Sequence, residues 1–286
     1  MNLAIFDLDN TLLNGDSDYN WSLFLIKKGI LDQAVYEKQN EEFFKDYQTG
    51  SLDIDAYAEF QFKPLRQNKK SALNELRAEY VKTIIQPMIT KKALDLVNQH
   101  KKQGDQLLII TATNSFITKP IATLFGIEEL IGTDLEEVDG QFTGKIQGVA
   151  SFQEGKVTRL HAWLKNKNLS FKDFKKIFFY SDSKNDLPLL SVVSNPVAVN
   201  PDPTLKFEAQ KNNCKVLCPN LPIFNEVGKD SIFYFNLNDI DDFNFQLSQI
   251  INKNYDKEIY KKMKFNLKNF NLLEKKKELK KIFLTV

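Results

Sequence analysis

The sequence predicts an α/β protein: a Rossmann-like, doubly wound parallel sheet with an inserted helical cap and a C-terminal α/β tail. Three observations carry this. Short apolar runs recur along the chain, and each is followed by a helix or a loop, the pattern of a parallel sheet with helices on both faces. A long helical insertion separates the first two runs. Acidic and hydroxyl residues follow the runs directly, where the strand ends of such a sheet hold their ligand.

The first run, Leu3-Ala4-Ile5-Phe6, reads as a buried strand. Similar runs lie at Gln106 to Thr111, Ile177 to Tyr180 and Pro196 to Val199, with Lys215-Val216-Leu217 as a last strand. Residues 16 to 88 place apolar side chains at helical spacing, as in Trp21, Leu23, Phe24 and Ile26, and strand-like alternation is absent there. That is more chain than a strand-to-strand crossover needs, so it predicts a separate cap. Leu94 to His100 returns the chain to the core, and Asp139-Gly140 inside 133–148 signals a hairpin. Ser115 to Leu124, Lys156 to Leu164 and Asp186 to Val193 read as core helices. The predicted domains are a core of residues 1–15 and 89–215, a cap of 16–88 and an extension of 216–286.

The length of 286 residues suits one or two domains. A net charge of +2 argues against an electrostatic nucleic-acid binder, and no basic stripe with interleaved aromatics is visible. No apolar run is long enough to span a bilayer, and the acidic residues near the start do not read as a signal peptide. Cys214 and Cys218 show no zinc-site spacing. These features predict a cytoplasmic protein. His100 and His161 lie on helical stretches away from the acidic clusters, which predicts structural roles.

Asp7 and Asp9 leave the first strand two residues apart, so both face one site. One carboxylate can attack phosphorus and the other can protonate the leaving group, although a metal-only site explains the pair as well. Thr111 ends the second run, where a hydroxyl either holds a phosphate oxygen or caps a helix. Lys156, at a helix start, either offsets negative charge or is a surface lysine. Asp182 and Asp186 follow the third run. They either complete an Mg²⁺ site with Asp7 or cap the next helix.

Taken in order, Asp7-x-Asp9-x-Thr11, Thr111, Lys156 and Asp182-x-x-x-Asp186 resemble the four motifs of the haloacid dehalogenase superfamily. Phe6 to Leu13, Gly15 to Asp18, Thr111 to Asn114, Gly155-Lys156-Val157 and Tyr180 to Leu190 resemble its subfamily IB, the phosphoserine-phosphatase-like hydrolases. The resemblance implies an Mg²⁺-dependent phosphomonoester hydrolase. In it Asp7 is the nucleophile, Asp9 the acid and then the base, and Thr111 and Lys156 hold phosphoryl oxygens. Metal ligation falls to Asp7, Asp182 and the Asp9 carbonyl, with Asp186 in support. Asp16, Asp18, Trp21, Arg66 and Asn114 are the candidates for contacting substrate; Arg66 either pairs with a substrate carboxylate or is a surface residue.

Two departures stand out: Thr111-Ala112-Thr113 where phosphoserine phosphatases carry a Ser-Gly-Gly type sequence, and Ser181 where Gly is common. The first bears on the substrate, because that loop borders it. The implied substrate is a small phosphomonoester: phosphoserine-like, histidinol-phosphate-like or lipid-derived. A phosphotransferase or mutase, and a non-catalytic fused scaffold, are the other readings. Dehalogenation is disfavoured by Asp9, which family dehalogenases lack.

Leu221-Pro222-x-Phe224-x-Glu226-Val227, with Tyr234-Phe235 and Asp239, resembles the closing segment of group 1 glycosyltransferases. The sugar-nucleotide-binding body is absent, so no such activity follows. From Lys253 onward eleven Lys stand against four acidic residues, a pattern that reads as a solvated helix face. Ile259, Met263, Leu267, Phe270 and Leu273 form an apolar stripe that predicts packing on the chain's own core or self-association through the C-terminal helix.

Overall fold

The computed structural model describes residues 1–49, 51–211, 215–221, 225, 232–236 and 239–252. The chain divides into two compact units, Met1–Pro196 and Val197–Val286.

In the first unit β1 (Leu3–Phe6) is central. It pairs in parallel with β2 (Gln106–Asn114) on one side. The other elements of this unit, in chain order, include β3 (Glu129–Thr133), β4 (Leu135–Val138), β5 (Gln141–Ile146) and β6 (Ile177–Ser181). β6 pairs in parallel with the other side of β1, and β3 adds in parallel to β2. All four side chains of β1 are buried, which is why its sequence is a continuous apolar run rather than an alternating one. The fold class is the one the sequence predicts. β3 was not anticipated: its core, Leu130-Ile131, is too short for a periodic signal, and Gly132 interrupts it. Gly132 has a physical reason, since a Cβ there would meet the Thr113 carbonyl oxygen at 2.9 Å.

The predicted hairpin is β4 paired antiparallel with β5. Asp139 and Gly140 both have positive φ, 51° and 76°, as a two-residue turn of this hand requires.

Between β1 and β2 the chain forms helices α1 (Ser17–Lys27), α2 (Gln33–Thr49), α3 (Ile54–Gln67) and α4 (Lys70–Tyr80). A π-helical turn at Val81–Ile85, the short α5 (Gln86–Met88) and α6 (Lys91–Lys102) bring it back. The two stems of the insertion lie side by side. Asn14 N–H donates to the Met88 carbonyl at 2.9 Å, and Leu13 bridges Ile89. The cap's core is aromatic: Trp21 lies against Phe24, Tyr80 and Phe116 with ring centroids 5.1–6.5 Å apart. Trp21 is therefore buried in the packing of the cap rather than presented at its surface.

The remaining helices of this unit are α7 (Ser115–Leu124), α8 (Glu154–Asn166) and α9 (Leu187–Val192), the last preceded by a 3-10 turn at Lys184–Asp186. His100 is fully buried, hydrogen-bonded to Asp105 at 2.7 Å and to the Tyr180 hydroxyl at 2.7 Å, which is a structural role. His161 packs on the Phe171 ring.

The second unit carries β7 (Asn195–Val199, from Val197 on), α10 (Pro203–Lys211), β8 (Lys215–Pro219), β9 (Phe233–Phe235) and α11 (Ile240–Asn252). β8 pairs in parallel with both β7 and β9. Cys218 is a buried residue of β8. Cys214, the residues 222–224, 226–231 and 237–238, the basic tail and the stripe from Ile259 to Leu273 lie outside the described residues. Among the described residues no helix is long and apolar enough to cross a membrane.

Candidate active site

The strand order places β1 between two neighbours reached by separate connections, so the polar residues just past its C-terminal end lie at the switch point of the sheet. Asp7 continues the strand: its N–H donates to the Tyr180 carbonyl at 2.9 Å. Leu8 is buried, and the chain then turns at Asn10 (φ 54°), with Asn10 N–H on the Gly15 carbonyl at 3.0 Å. That turn brings Asp9 under the start of α1.

Lys156 is the centre of charge. It is buried, with Nζ 2.8 Å from Asp7 Oδ1 and 2.6 Å from Asp186 Oδ1. The close approach at the start of α8 explains Gly155, since a Cβ there would sit 2.0 Å from the Ala150 carbonyl oxygen. Burial works against the lysine's charge, but Asp186 and Asp7 outweigh it and raise its pKa. The surface-lysine reading is thereby excluded.

Asp186 is engaged on both oxygens, because the Ser181 hydroxyl donates to Oδ2 at 2.6 Å. The serine that departs from the family pattern thus orients the Asp186 carboxylate. The Thr11 hydroxyl lies between two others, 3.3 Å from Asp7 Oδ2 and 3.2 Å from Asp182 Oδ1. Burial raises the Asp7 carboxyl to about 7, with Asp186 and Asp9 adding to the rise and Lys156 opposing it. Burial, then Asp7 and Asp186, push Asp182 well above the ordinary carboxylate range.

Asp9 is held differently. Its Oδ1 accepts from Ser17 N–H at 2.6 Å and its Oδ2 from the Thr113 hydroxyl at 2.8 Å. Burial raises its pKa to about 6, assisted by Asp16 and opposed by these two donors. Thr111 is buried, and its hydroxyl accepts from Thr113 N–H at 3.2 Å. It is not a helix cap: β2 runs three residues past it, and Asn114 caps α7 by accepting from Ile117 N–H at 3.1 Å.

Three carboxylates around one ammonium leave an excess of negative charge. Among the described residues no group of three His, Cys, Asp or Glu side chains has metal-holding geometry. Mg²⁺ does not need one, since it is held by one or two carboxylates and keeps several waters. Asp7 and Asp182, facing one hydroxyl, fit that demand. Asp186, with both oxygens engaged, fits a supporting place instead.

The entrance is acidic too. Asp16 caps α1, with Oδ1 accepting from Asp18 N–H at 2.9 Å and Tyr19 N–H at 2.8 Å. Asp18 accepts from the Tyr57 hydroxyl at 2.9 Å, and Gln61 donates to that hydroxyl at 2.8 Å. Gln61 continues into a buried set with Ser22 and Tyr36. Burial raises Asp16 to about 6, with Asp18 adding to it, and raises Asp18 to about 7. Arg66 is exposed, its stem packed along Gly144 of β5. Arg77 donates to the Phe116 carbonyl at 2.8 Å and covers its ring.

Sequence reasoning missed Thr113, Ser17 and Asn185. Asn185 is buried and accepts from Gln153 Nε2 at 3.1 Å; among the described residues its Nδ2 has no partner of good geometry, and the Tyr47 hydroxyl is the polar group beside it. Its place between the two acidic residues of the last motif was the available signal.

The family model of haloacid dehalogenase-like hydrolases matches residues 4–191. The chain belongs to this family. The hydrolase is 50% identical over 217 residues to a histidinol-phosphatase of Neisseria meningitidis, a match covering 76% of this chain and 98% of that one. It is 30% identical over 223 residues to a phosphoserine phosphatase of Mycobacterium tuberculosis, covering 74% and 69%. A solved structure of a Bordetella pertussis protein of unknown function superposes with a TM-score of 0.72 at 43% identity, over 75% of this chain and 97% of that one. The hydrolase is therefore one of the family's phosphatases.

Proposed function

We propose that this hydrolase is an Mg²⁺-dependent phosphatase for a small phosphomonoester that carries a cationic amine and no carboxylate, of the histidinol phosphate type. The observation that carries the substrate class is the pair Asp16 and Asp18. Asp18 is buried and Asp16 half-buried, the pKa of each is raised, and the leading groups that act on them among the described residues include no cation. An ammonium group on the substrate would answer them. A substrate carboxylate, as in phosphoserine, would need a cation in turn. The two arginines of the cap lie against Gly144 and Phe116. The kinship to a histidinol-phosphatase at 50% identity supports the same class.

In this reading Asp7 attacks phosphorus, the ester P–O bond breaks, and the phosphoryl group passes to the Asp7 carboxylate. Asp9, with a pKa near 6, gives its proton to the departing alkoxide. Asp9 then takes a proton from water, which attacks the acyl phosphate, restores Asp7 and frees inorganic phosphate. Ser17 N–H and the Thr113 hydroxyl hold the Asp9 carboxyl in place for both steps. Lys156, Thr111 and Asn185 Nδ2 supply donors to the phosphoryl oxygens. Asp7, Asp182 and the Asp9 carbonyl would hold Mg²⁺, which when bound offsets repulsion between the anionic nucleophile and the phosphate. The test is phosphate release from L-histidinol phosphate and phosphoserine, with Mg²⁺ and with EDTA. Mg²⁺-dependent turnover that favours histidinol phosphate is expected; faster turnover of phosphoserine would reject the substrate class.

A further inference from the structure

The loop that carries Asp182 and Asp186 meets the cap at the Tyr47 hydroxyl, which interacts with the side chains of Ser183 and Asn185. The Tyr47 hydroxyl, on α2, lies 2.9 Å from Ser183 Oγ. Ser183 is itself a hinge of that loop. Its Oγ accepts from Asn185 N–H at 3.2 Å, and its N–H donates to Ser181 Oγ at 3.1 Å, the hydroxyl that holds Asp186. The Tyr47 ring also lies 6.3 Å from the Phe152 ring. Phe152 precedes Gln153, which takes a left-handed φ of 47°, donates to Asn185 and opens the helix bearing Lys156. Tyr47 therefore stands where the two loops that carry the polar floor come together.

The rest of this helix gives Tyr47 its leverage. Along the second half of α2, Phe44 is 55% exposed, and Lys45, Asp46 and Thr49 are exposed as well. A helix end with so little burial is fixed by few contacts. Phe43 supplies the others, stacking near Tyr57 and Phe60 with centroids 5.4 and 5.2 Å away. Tyr57 is the residue that donates to Asp18. One turn of α2 thus joins the acidic entrance, through Phe43 and Tyr57, to the aspartate loop, through Tyr47 and Ser183.

We propose that Tyr47 is a positioning residue that latches the cap to Ser183 and thereby holds the Asp182–Asp186 loop in place under a closed cap. The latch exchanges a hydroxyl–hydroxyl bond for two bonds to water when the cap lifts. One such bond is a small net term, so the latch can open for substrate entry and close over it. The proposal rests on the phosphatase reading for its kinetic consequence, though not for the latch itself.

The test uses the full chain with Tyr47→Phe, Ser183→Ala and the double variant. KM for the phosphomonoester and the inhibition constant of inorganic phosphate should both rise about three- to tenfold in each single variant, the size of one net hydrogen bond. kcat should change less, the unfolding midpoint should stay as in the wild type for Tyr47→Phe and fall slightly for Ser183→Ala, which also loses its bond from Asn185 N–H, and the double variant should be no worse than Ser183→Ala. Amide hydrogen exchange should quicken in residues 41–49 and 182–186 in both variants, without any substrate present. Kinetic constants equal to the wild type, or losses that add in the double variant, would overturn the latch. If the wild type turns over no phosphomonoester, the phosphatase reading fails, and the exchange measurement alone decides the latch: unchanged exchange in both segments overturns it.

Discussion

The floor of the site and its entrance are both lined by buried and half-buried carboxylates, yet they are finished differently. On the floor, Asp7 and Asp186 share the Lys156 ammonium, and Ser181 and Thr11 supply further donors. At the entrance, Asp16 and Asp18 receive only hydrogen bonds, from backbone N–H groups and from the Tyr57 hydroxyl. Burying a carboxylate without a counter-charge is costly. A fold retains such groups where a ligand supplies the missing charge. In the proposed reading the floor receives the phosphoryl group, and the entrance meets the part of the substrate that distinguishes one phosphomonoester from another.

The sharpest break of this comparison is Asp7→Asn, which leaves the entrance intact and removes the proposed nucleophile. Turnover should fall on the order of 10³-fold or more, measured as phosphate release. Residual activity near the wild type would remove Asp7 from the chemistry. Next comes Lys156→Met. It strands Asp7 and Asp186, and loss of one partner from a buried pair costs about 3–5 kcal/mol. Urea unfolding should report a loss of that order alongside lost activity; an unchanged midpoint would mean the carboxylates find another partner.

At the entrance the expected sign is opposite. Asp18 has a folded pKa near 7 against about 3.9 for an unfolded aspartate. Between those values the native state binds the extra proton, so the Asp18 contribution to stability is full below pH 4 and declines as pH rises to about 7. Asp18→Asn should raise the melting temperature by a few degrees at pH 8, leave it nearly unchanged at pH 4, and slow turnover of an amine phosphate about tenfold or more. A variant that is less stable at pH 8 would show that the Tyr57 bond outweighs the buried charge. The smallest effect is expected for Ser181→Gly, which removes one donor to Asp186: about 1 kcal/mol of stability and a few-fold in kcat. A full retention of kcat would make the serine neutral.

The same contrast governs what could be read from sequence. β1 and the floor were legible, because a strand buried on both faces leaves an uninterrupted apolar run, and Asp7, Asp9, Lys156, Asp182 and Asp186 recur at fixed spacing. Thr111 was legible as a residue but not in its geometry, since the strand continues to Asn114 with a register shift that no periodicity reveals. Asn114 and Asp16 follow N-cap chemistry, and a sequence gives capping and substrate contact the same residue types. The entrance network of Asp18, Tyr57 and Gln61 spans 39 and 4 residues of sequence and depends on how three helices pack. So does the meeting of Tyr47 with Ser183, 136 residues apart. Such contacts leave no local signature.

The most direct test of the entrance is a ratio. kcat/KM for L-histidinol phosphate divided by that for phosphoserine should exceed about ten in the wild type, since both carry an ammonium but only phosphoserine brings a carboxylate to the acids, and a charged group left without its partner costs about 1–3 kcal/mol or more. In Asp18→Asn the ratio should fall toward one, because both substrates lose the acid that answers their ammonium and phosphoserine alone is relieved of repulsion on its carboxylate. A ratio that survives the substitution, or one that favours phosphoserine from the outset, would contradict the claim that the unanswered acids select an amine phosphate without a carboxylate.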